Sequence, residues 1–157
     1  MKYNYNEALD YSYSRREILK ARNEFTNWRY WFSDSKVETN LESSIVGDVL
    51  EINKVTPKRL NSMIFQNIKM NPINKELKFS IWLKSDHPHT ATIKIQNING
   101  SEGNTLESFK VTREWSYYKV SNKFIKYSDM VTVIIWPGGF NGTTDPVYAW
   151  GASLVEI

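Results

Sequence analysis

The sequence predicts an all-β chain, an antiparallel β-sandwich or barrel of about eight or nine short strands behind a short N-terminal arm and helix. Three observations carry this expectation. From Glu24 onward, apolar residues recur with period two and are rich in β-branched and aromatic types. Turn-forming clusters interrupt the alternation at Thr56-Pro57, Asn71-Pro72, Asp86-His87-Pro88, Asn99-Gly100-Ser101, Gly138-Gly139 and Asp145-Pro146. No long helical pattern is visible after residue 23.

The elements follow in order. Residues 1–23 are polar and Tyr-rich. Ser14 and Glu17 have capping-box spacing ahead of Ile18, Leu19 and Ala21, which predicts a helix over about Arg15–Arg22. Strands are expected at Lys36–Thr39, Val49–Lys54, Ser62–Ile68, Glu76–Ser85, Thr90–Asn97, Glu107–Thr112, Ser116–Ser121, Met130–Trp136 and Val147–Val155. Alternation assigns their faces. Phe79, Ile81 and Leu83 oppose Ser80, Trp82 and Lys84; Ile93 and Ile95 oppose Thr92, Lys94 and Gln96; Val131, Val133 and Ile135 oppose Thr132, Ile134 and Trp136. One apolar and one mixed face suit a half-solvated antiparallel sheet, with Trp82 and Trp136 on the wetter faces. Within Trp28–Phe32, period two buries either Trp28, Tyr30 and Phe32 or Trp31 alone. The first choice exposes Trp31 beside Arg29, a pairing typical of interface anchors.

Composition bounds the function. A chain of 157 residues with 41% hydrophobic content makes one domain with a core of its own. Basic and acidic residues number 20 and 17, and their signs alternate along the chain without a basic block. That argues against a phosphate-tracking nucleic-acid surface. The absence of Cys excludes a thiol nucleophile and Cys-based zinc. No stretch reaches 18 apolar residues, so no membrane-inserted helix is expected. The opening MKYNYNEALDYSYSRREI has no apolar segment of the signal-peptide kind, so no export leader is expected.

Catalytic signatures are missing. His87 and His89 flank Pro88 in a turn, no G-x-S-x-G segment occurs, and Gly138–Gly142 lacks the lysine of a phosphate loop. The expectation is a protein that is not an enzyme and needs no cofactor. The aromatic content of 14%, by contrast, exceeds what a core of this size needs. Sugar rings present C–H faces that flat aromatics cover, with polar residues ringing them to fix orientation. Trp136–Asp145 has this composition: Trp136 or Phe140 as a platform, Asn141 and Asp145 as hydrogen-bonding partners. The competing reading ends the strand at Trp136 and lets it cap the core. Trp82 is a second platform candidate, with Lys84, Thr92, Lys94 and Gln96 near it, unless the N-terminal arm covers it. Tyr117 points opposite to Tyr118 and extends such a surface, whereas Trp115, Tyr118 and Trp150 are expected in the core.

Five segments, in order, resemble a known family. Asn23-Glu24-Phe25-Thr26-Asn27-Trp28 is similar to its opening strand, and Leu77-Lys78-Phe79-Ser80-Ile81-Trp82-Leu83-Lys84-Ser85 to its "Y-T-F-S-x-W-L-K-A" strand. Ala91–Ile95 follows, then Val111-Thr112-Arg113-Glu114-Trp115-Ser116-Tyr117-Tyr118-Lys119-Val120, which resembles "V-T-x-x-W-x-x-Y-x-V". Val147-Tyr148-Ala149-Trp150-Gly151-Ala152-Ser153-Leu154 is close to the closing "V-Y-L-W-G-A-Q-L". The series resembles carbohydrate-binding-module-like jelly rolls, especially those of bacteriophage tail and fibre proteins.

The resemblance implies a jelly roll over residues 23–157; residues 1–22 lie outside it and are expected to form a docking arm, with Arg15, Arg16 and Leu19 joining Arg29 and Trp31 as protein-contact candidates. It implies a non-catalytic virion protein (fibre, collar or decoration), in oligomeric form, bound to other virion proteins and to host surface polysaccharide. The alternatives are a purely structural virion protein and a module of a secreted glycosidase. Many secreted family members hold a structural calcium near the closing strand; here that strand carries no carboxylate before Glu156, so calcium is not supported.

Overall fold

The structure, a computed structural model, describes residues 18, 29–31, 35–43, 49–97, 106–140 and 142–157, with the backbone alone for 29–31, 35–43 and 49–51. The strands are β1 (Arg29–Trp31), β2 (Ser35–Ser43), β3 (Val49–Pro57), β4 (Met63–Lys69), β5 (Glu76–Lys84), β6 (His89–Asn97), β7 (Leu106–Val111), β8 (Ser116–Lys123), β9 (Met130–Trp136) and β10 (Val147–Glu156). All nine expected strands are present; most differ by one or two residues at their ends, while β2 runs four residues and β3 three residues further than expected. The short β1 is additional and lies in the run where alternation left the buried face undecided.

Eight of these strands form two four-stranded antiparallel sheets, ordered β3-β10-β5-β8 and β4-β9-β6-β7. An edge strand extends each, β2 beside β3 and β1 beside β4. Hydrogen-bonded neighbours are mostly distant in sequence, so the chain crosses repeatedly between the layers, as a jelly roll requires.

The inward faces are those that alternation predicts. Leu77, Phe79, Ile81 and Leu83 of β5 meet Ile93 and Ile95 of β6 and Val131, Val133 and Ile135 of β9, all fully buried in one cluster. Tyr118 and Val120 of β8 close it on one side. Tyr118 reaches out of this apolar space with its hydroxyl, which donates to the Lys110 carbonyl at 3.1 Å.

Strand β10 departs from strict alternation. Trp150 stands opposite Trp82, but Ser153 is the residue opposite Ser80, so β10 carries one extra residue between them. Gly151 supplies it, at φ +71°, in the left-handed region where a side chain is penalised. The bulge resets the phase: Val147 and Ala149 face inward before it, Ala152 and Leu154 after it. Uninterrupted alternation would turn Leu154 out into water.

Past Ala149 the ladder between β3 and β10 ends. Beside this part of β10, the Ile18 amide donates to the Leu154 carbonyl at 2.8 Å, and the Ile18 side chain packs on the core. Ile18 is the one described residue of the expected Arg15–Arg22 helix, and it lies outside any helix. Its backbone bond goes to the sheet and not back along its own segment. Arg15, Arg16 and Leu19 lie outside the described residues.

Two outcomes follow. Gly151→Ala should destabilise the fold by about 1–2 kcal/mol, because any Cβ is strained at that φ; urea unfolding measures it. Burial pushes the Tyr118 pKa above its ordinary value, against a smaller opposing pull from Ser116. The folded chain therefore holds that proton more tightly than the unfolded chain. The stability this gives is complete below about pH 10, the ordinary tyrosine value, and is lost as pH rises beyond it. The unfolding free energy should fall with pH across that range in the wild type and fall less in Tyr118→Phe.

Candidate functional site

The outer face of the β3-β10-β5-β8 sheet is built by the residues that alternation turns away from the core. Register aligns Trp150, Trp82 and Tyr117 across β10, β5 and β8, and Lys54, Tyr148 and Lys84 across β3, β10 and β5. The Trp82 and Trp150 rings lie nearly parallel, 9° apart with centroids 6.0 Å apart. Tyr117 tilts against Trp82 at 5.4 Å. Ile52 and Trp115 complete this second apolar cluster, separate from the core between the sheets. Trp82 and Trp150 are each 1% exposed and form its floor, whereas Tyr117 and Tyr148 are half-buried and reach its surface. Cross-strand aromatic pairs of this kind stabilise a sheet by about 0.2–1 kcal/mol each.

Polar groups surround the rings. The Lys84 ammonium sits 5.2 Å from the Trp115 ring centroid and 5.4 Å from that of Tyr148, and Lys54 approaches Tyr148 from the other side at 5.8 Å. Such contacts hold a flexible lysine over an aromatic while leaving its N–H groups free to donate. The Tyr148 hydroxyl donates to Asp86 Oδ2 at 2.9 Å. Arg113 Nε donates to the Asp86 backbone carbonyl at 3.0 Å, which fixes the turn carrying that carboxylate. Apolar ring edges, ammonium donors and a carboxylate acceptor thus converge on one face. A polyhydroxylated ligand needs this combination.

The loop after β9 is arranged differently. Trp136 lies on the outer face of the other sheet, 6% exposed, in a cluster with Met63 and Ile134 against which Phe65 packs. Phe140 leans on it at 4.8 Å and is itself 48% exposed. Of the two aromatics, the open one is therefore Phe140. Asp145 is half-buried, and its amide is held by Thr143 Oγ1 at 3.1 Å. Asn141 lies outside the described residues. His89 ties this loop to the preceding turn: Nε2 is 2.8 Å from the Pro137 carbonyl and Nδ1 is 2.7 Å from the His87 carbonyl. A neutral imidazole donates to only one of them at a time. Both ring nitrogens therefore face backbone oxygens and not a ligand. Among the described residues, no three His, Asp or Glu side chains converge as a metal set.

Alternation left open whether Trp82 and Trp136 share a face; they lie on opposite sides of the sandwich. Several expectations need correction. Thr92 pairs with Trp136 and Lys94 with Ile134, so these polar residues border Trp136, not Trp82. Burial there lowers the Lys94 pKa. Trp82 and Trp136 are both too deeply buried to serve as open platforms. Tyr118 is in the core as expected, whereas Trp115 and Trp150 are buried on the outer face. Tyr148 was missed, although its parity with Trp150 in Val147-Tyr148-Ala149-Trp150 marks both as outward. Arg29 and Trp31 stand on the edge strand β1, opposite Phe65 and Met63.

No family model matches the chain, and no curated protein does. Solved structures give a clear fold. The enzymatically active domain of bacteriophage CBA120 tailspike protein 4 aligns with a TM-score of 0.65 at 10% identity, over 90% of this chain and 22% of that one. A family 4 carbohydrate-binding module aligns at 0.60 and 13%, over 94% and 98%. The module TmCBM61, solved with β-1,4-galactotriose, aligns at 0.65 and 14%, over 90% and 99%. The chain thus spans the whole of the two modules but under a quarter of the tailspike chain. These likenesses establish the carbohydrate-binding-module-like jelly roll.

One consequence concerns the β9–β10 loop. A Cβ on Gly138 would fall 1.8 Å from the Thr143 carbonyl oxygen. Gly138→Ala should therefore displace the loop and expose Trp136, seen as a red shift and rise in quenching of tryptophan fluorescence, while Phe140→Ala leaves the loop backbone in place.

Proposed function

We propose that the chain is a non-catalytic glycan-binding module whose ligand lies across the outer face of the β3-β10-β5-β8 sheet. The observation that carries this reading is the pair of half-buried tyrosines, Tyr117 and Tyr148, flanking a buried Trp82–Trp150 stack with Lys54, Lys84 and Asp86 around them. This second aromatic cluster is separate from the core between the sheets, and its two surface-reaching tyrosines with convergent polar groups have the composition of a binding site. The galactotriose complex of TmCBM61 and the modules that share the fold support it further.

The setting we propose is a bacteriophage virion, in which the module, as an oligomer, contacts other virion proteins and host surface polysaccharide. The ordered motif series and the tailspike likeness support this setting. A module of a secreted glycosidase draws equal support from the solved structures. In a virion, many weak copies would act together, and their linkage raises apparent affinity without new contacts.

The test is retention by isolated host cell walls, with and without their polysaccharide, and mobility in gels containing purified glycans. Tyr117→Ala and Tyr148→Ala should each weaken binding about tenfold, or about 1.4 kcal/mol, while Phe140→Ala binds as wild type. Loss in Phe140→Ala alone would move the site to the β9–β10 loop. No retention of a multimerised protein would remove the glycan reading.

A further inference from the structure

Acidic and basic residues are well mixed along the chain, but strand alternation separates them in space. Every second residue of a strand faces the same way. On the outer face of the β3-β10-β5-β8 sheet this parity collects Lys54 from β3, Lys78 and Lys84 from β5, and Lys119 and Lys123 from β8. Neutral residues fill the gaps: Ser80 and Trp82 on β5, Tyr117 and Ser121 on β8, Tyr148, Trp150, Ser153 and Val155 on β10.

Among the described side chains, the carboxylates stand at the margins: Glu76 is opposite Lys123 at one end, and Asp86 is engaged with Tyr148 at the other. Beyond them, the backbone of the edge strand β2 sets Glu38 opposite Lys54 and Glu42 opposite Leu50. Among the described residues, no carboxylate lies within ion-pair distance of Lys78, Lys84 or Lys119. Lys119 is exposed, and Lys78 and Lys84 are half-buried. From Lys78 to Lys84 the strand rises about 20 Å, so the positive track runs well beyond the tyrosine pair.

We infer that this face takes an anionic polysaccharide, one bearing a carboxylate or phosphate on its repeating unit. The inference rests on the glycan reading above and specifies its ligand. A neutral glycan gives the lysine track nothing to neutralise. A polyanion lying along β5 and β8 would meet Lys84, Lys119 and Lys78 in turn while its sugar rings touch Tyr148 and Tyr117. Lysine acts here as a point charge on a flexible stem, suited to repeating charge more than to one planar, bidentate group. Single-stranded nucleic acid is the other polyanion to consider, but it binds by stacking bases on open rings. Here Trp82 and Trp150 are buried, and lysines stand over Tyr148.

The experiment is affinity electrophoresis of the full chain in gels of polygalacturonate, its fully methyl-esterified form, poly(glycerol phosphate) teichoic acid and neutral β-1,4-galactan, with single-stranded DNA as competitor. At least one anionic polymer should retard the protein while the methyl ester and galactan do not, and retardation should fall at least about fivefold as added salt shortens the screening length. Lys78→Glu and Lys119→Glu should each weaken it about tenfold. Lys110→Glu makes the same net-charge change at an exposed position of β7 in the other sheet and should leave it unchanged. Thermal melts confirm that each variant is folded. Salt-insensitive binding to the neutral polymers alone would overturn the charge inference and leave the glycan reading standing. So would DNA that binds as tightly as the polysaccharides, or a Lys110→Glu variant as impaired as the other two. Retardation by no polymer overturns both readings.

Discussion

The structure depends on one geometric constraint: a β-strand sends successive side chains to opposite sides of its sheet. Strand β5 shows what this does. Leu77, Phe79, Ile81 and Leu83 build the core, while Lys78, Ser80, Trp82 and Lys84, interleaved with them, build an outer face. Core and candidate site are the two sides of one strand. Neither can shift by a residue without exchanging roles with the other. Gly151 keeps β10 in this arrangement, since the extra residue there lets Trp150 stack on Trp82 and still returns Leu154 to the interior.

Most of the fold was legible because it rests on this period. Alternation and turn residues located nine strands, and the inward residues of β5, β6 and β9 came out as read. Two features were not legible. The three-residue β1 is too short to show a period and sits in an aromatic run that suits either face. At Ile18, the one described residue of a segment whose capping signal suggested a helix, the amide is bound by Leu154, more than a hundred residues away in sequence. No local rule contains that long-range pairing.

The candidate site was half legible. Tyr117 and Trp82 were marked as outward, and they are. What the sequence could not show was which outward residues share a sheet. Thr92, Lys94 and Gln96 alternate like Lys84, yet strand order assigns them to the opposite side of the molecule. Trp136 and Phe140 share a loop whose composition suits sugar binding, but composition does not tell that Trp136 turns under Phe140. The same limit applies to charge. A chain whose signs alternate looks unpatterned in one dimension, yet becomes mainly positive over β5 and β8, with Glu76 at one end, because the lysines of these two strands fall on one parity.

Ile18 bears on where the folding unit begins. The motif series suggests a boundary near residue 23, and Ile18, ahead of it, occupies the flank of β10 that β3 leaves, its partly buried side chain packed against the core. A fragment trimmed to residue 23 would keep every motif and still carry an unsatisfied carbonyl at Leu154 beside a vacated apolar notch. Unpaired strand flanks are templates on which another chain can add. Such a fragment would tend to recruit a neighbour's strand, and any self-association it showed would reflect the trimming and not the native assembly.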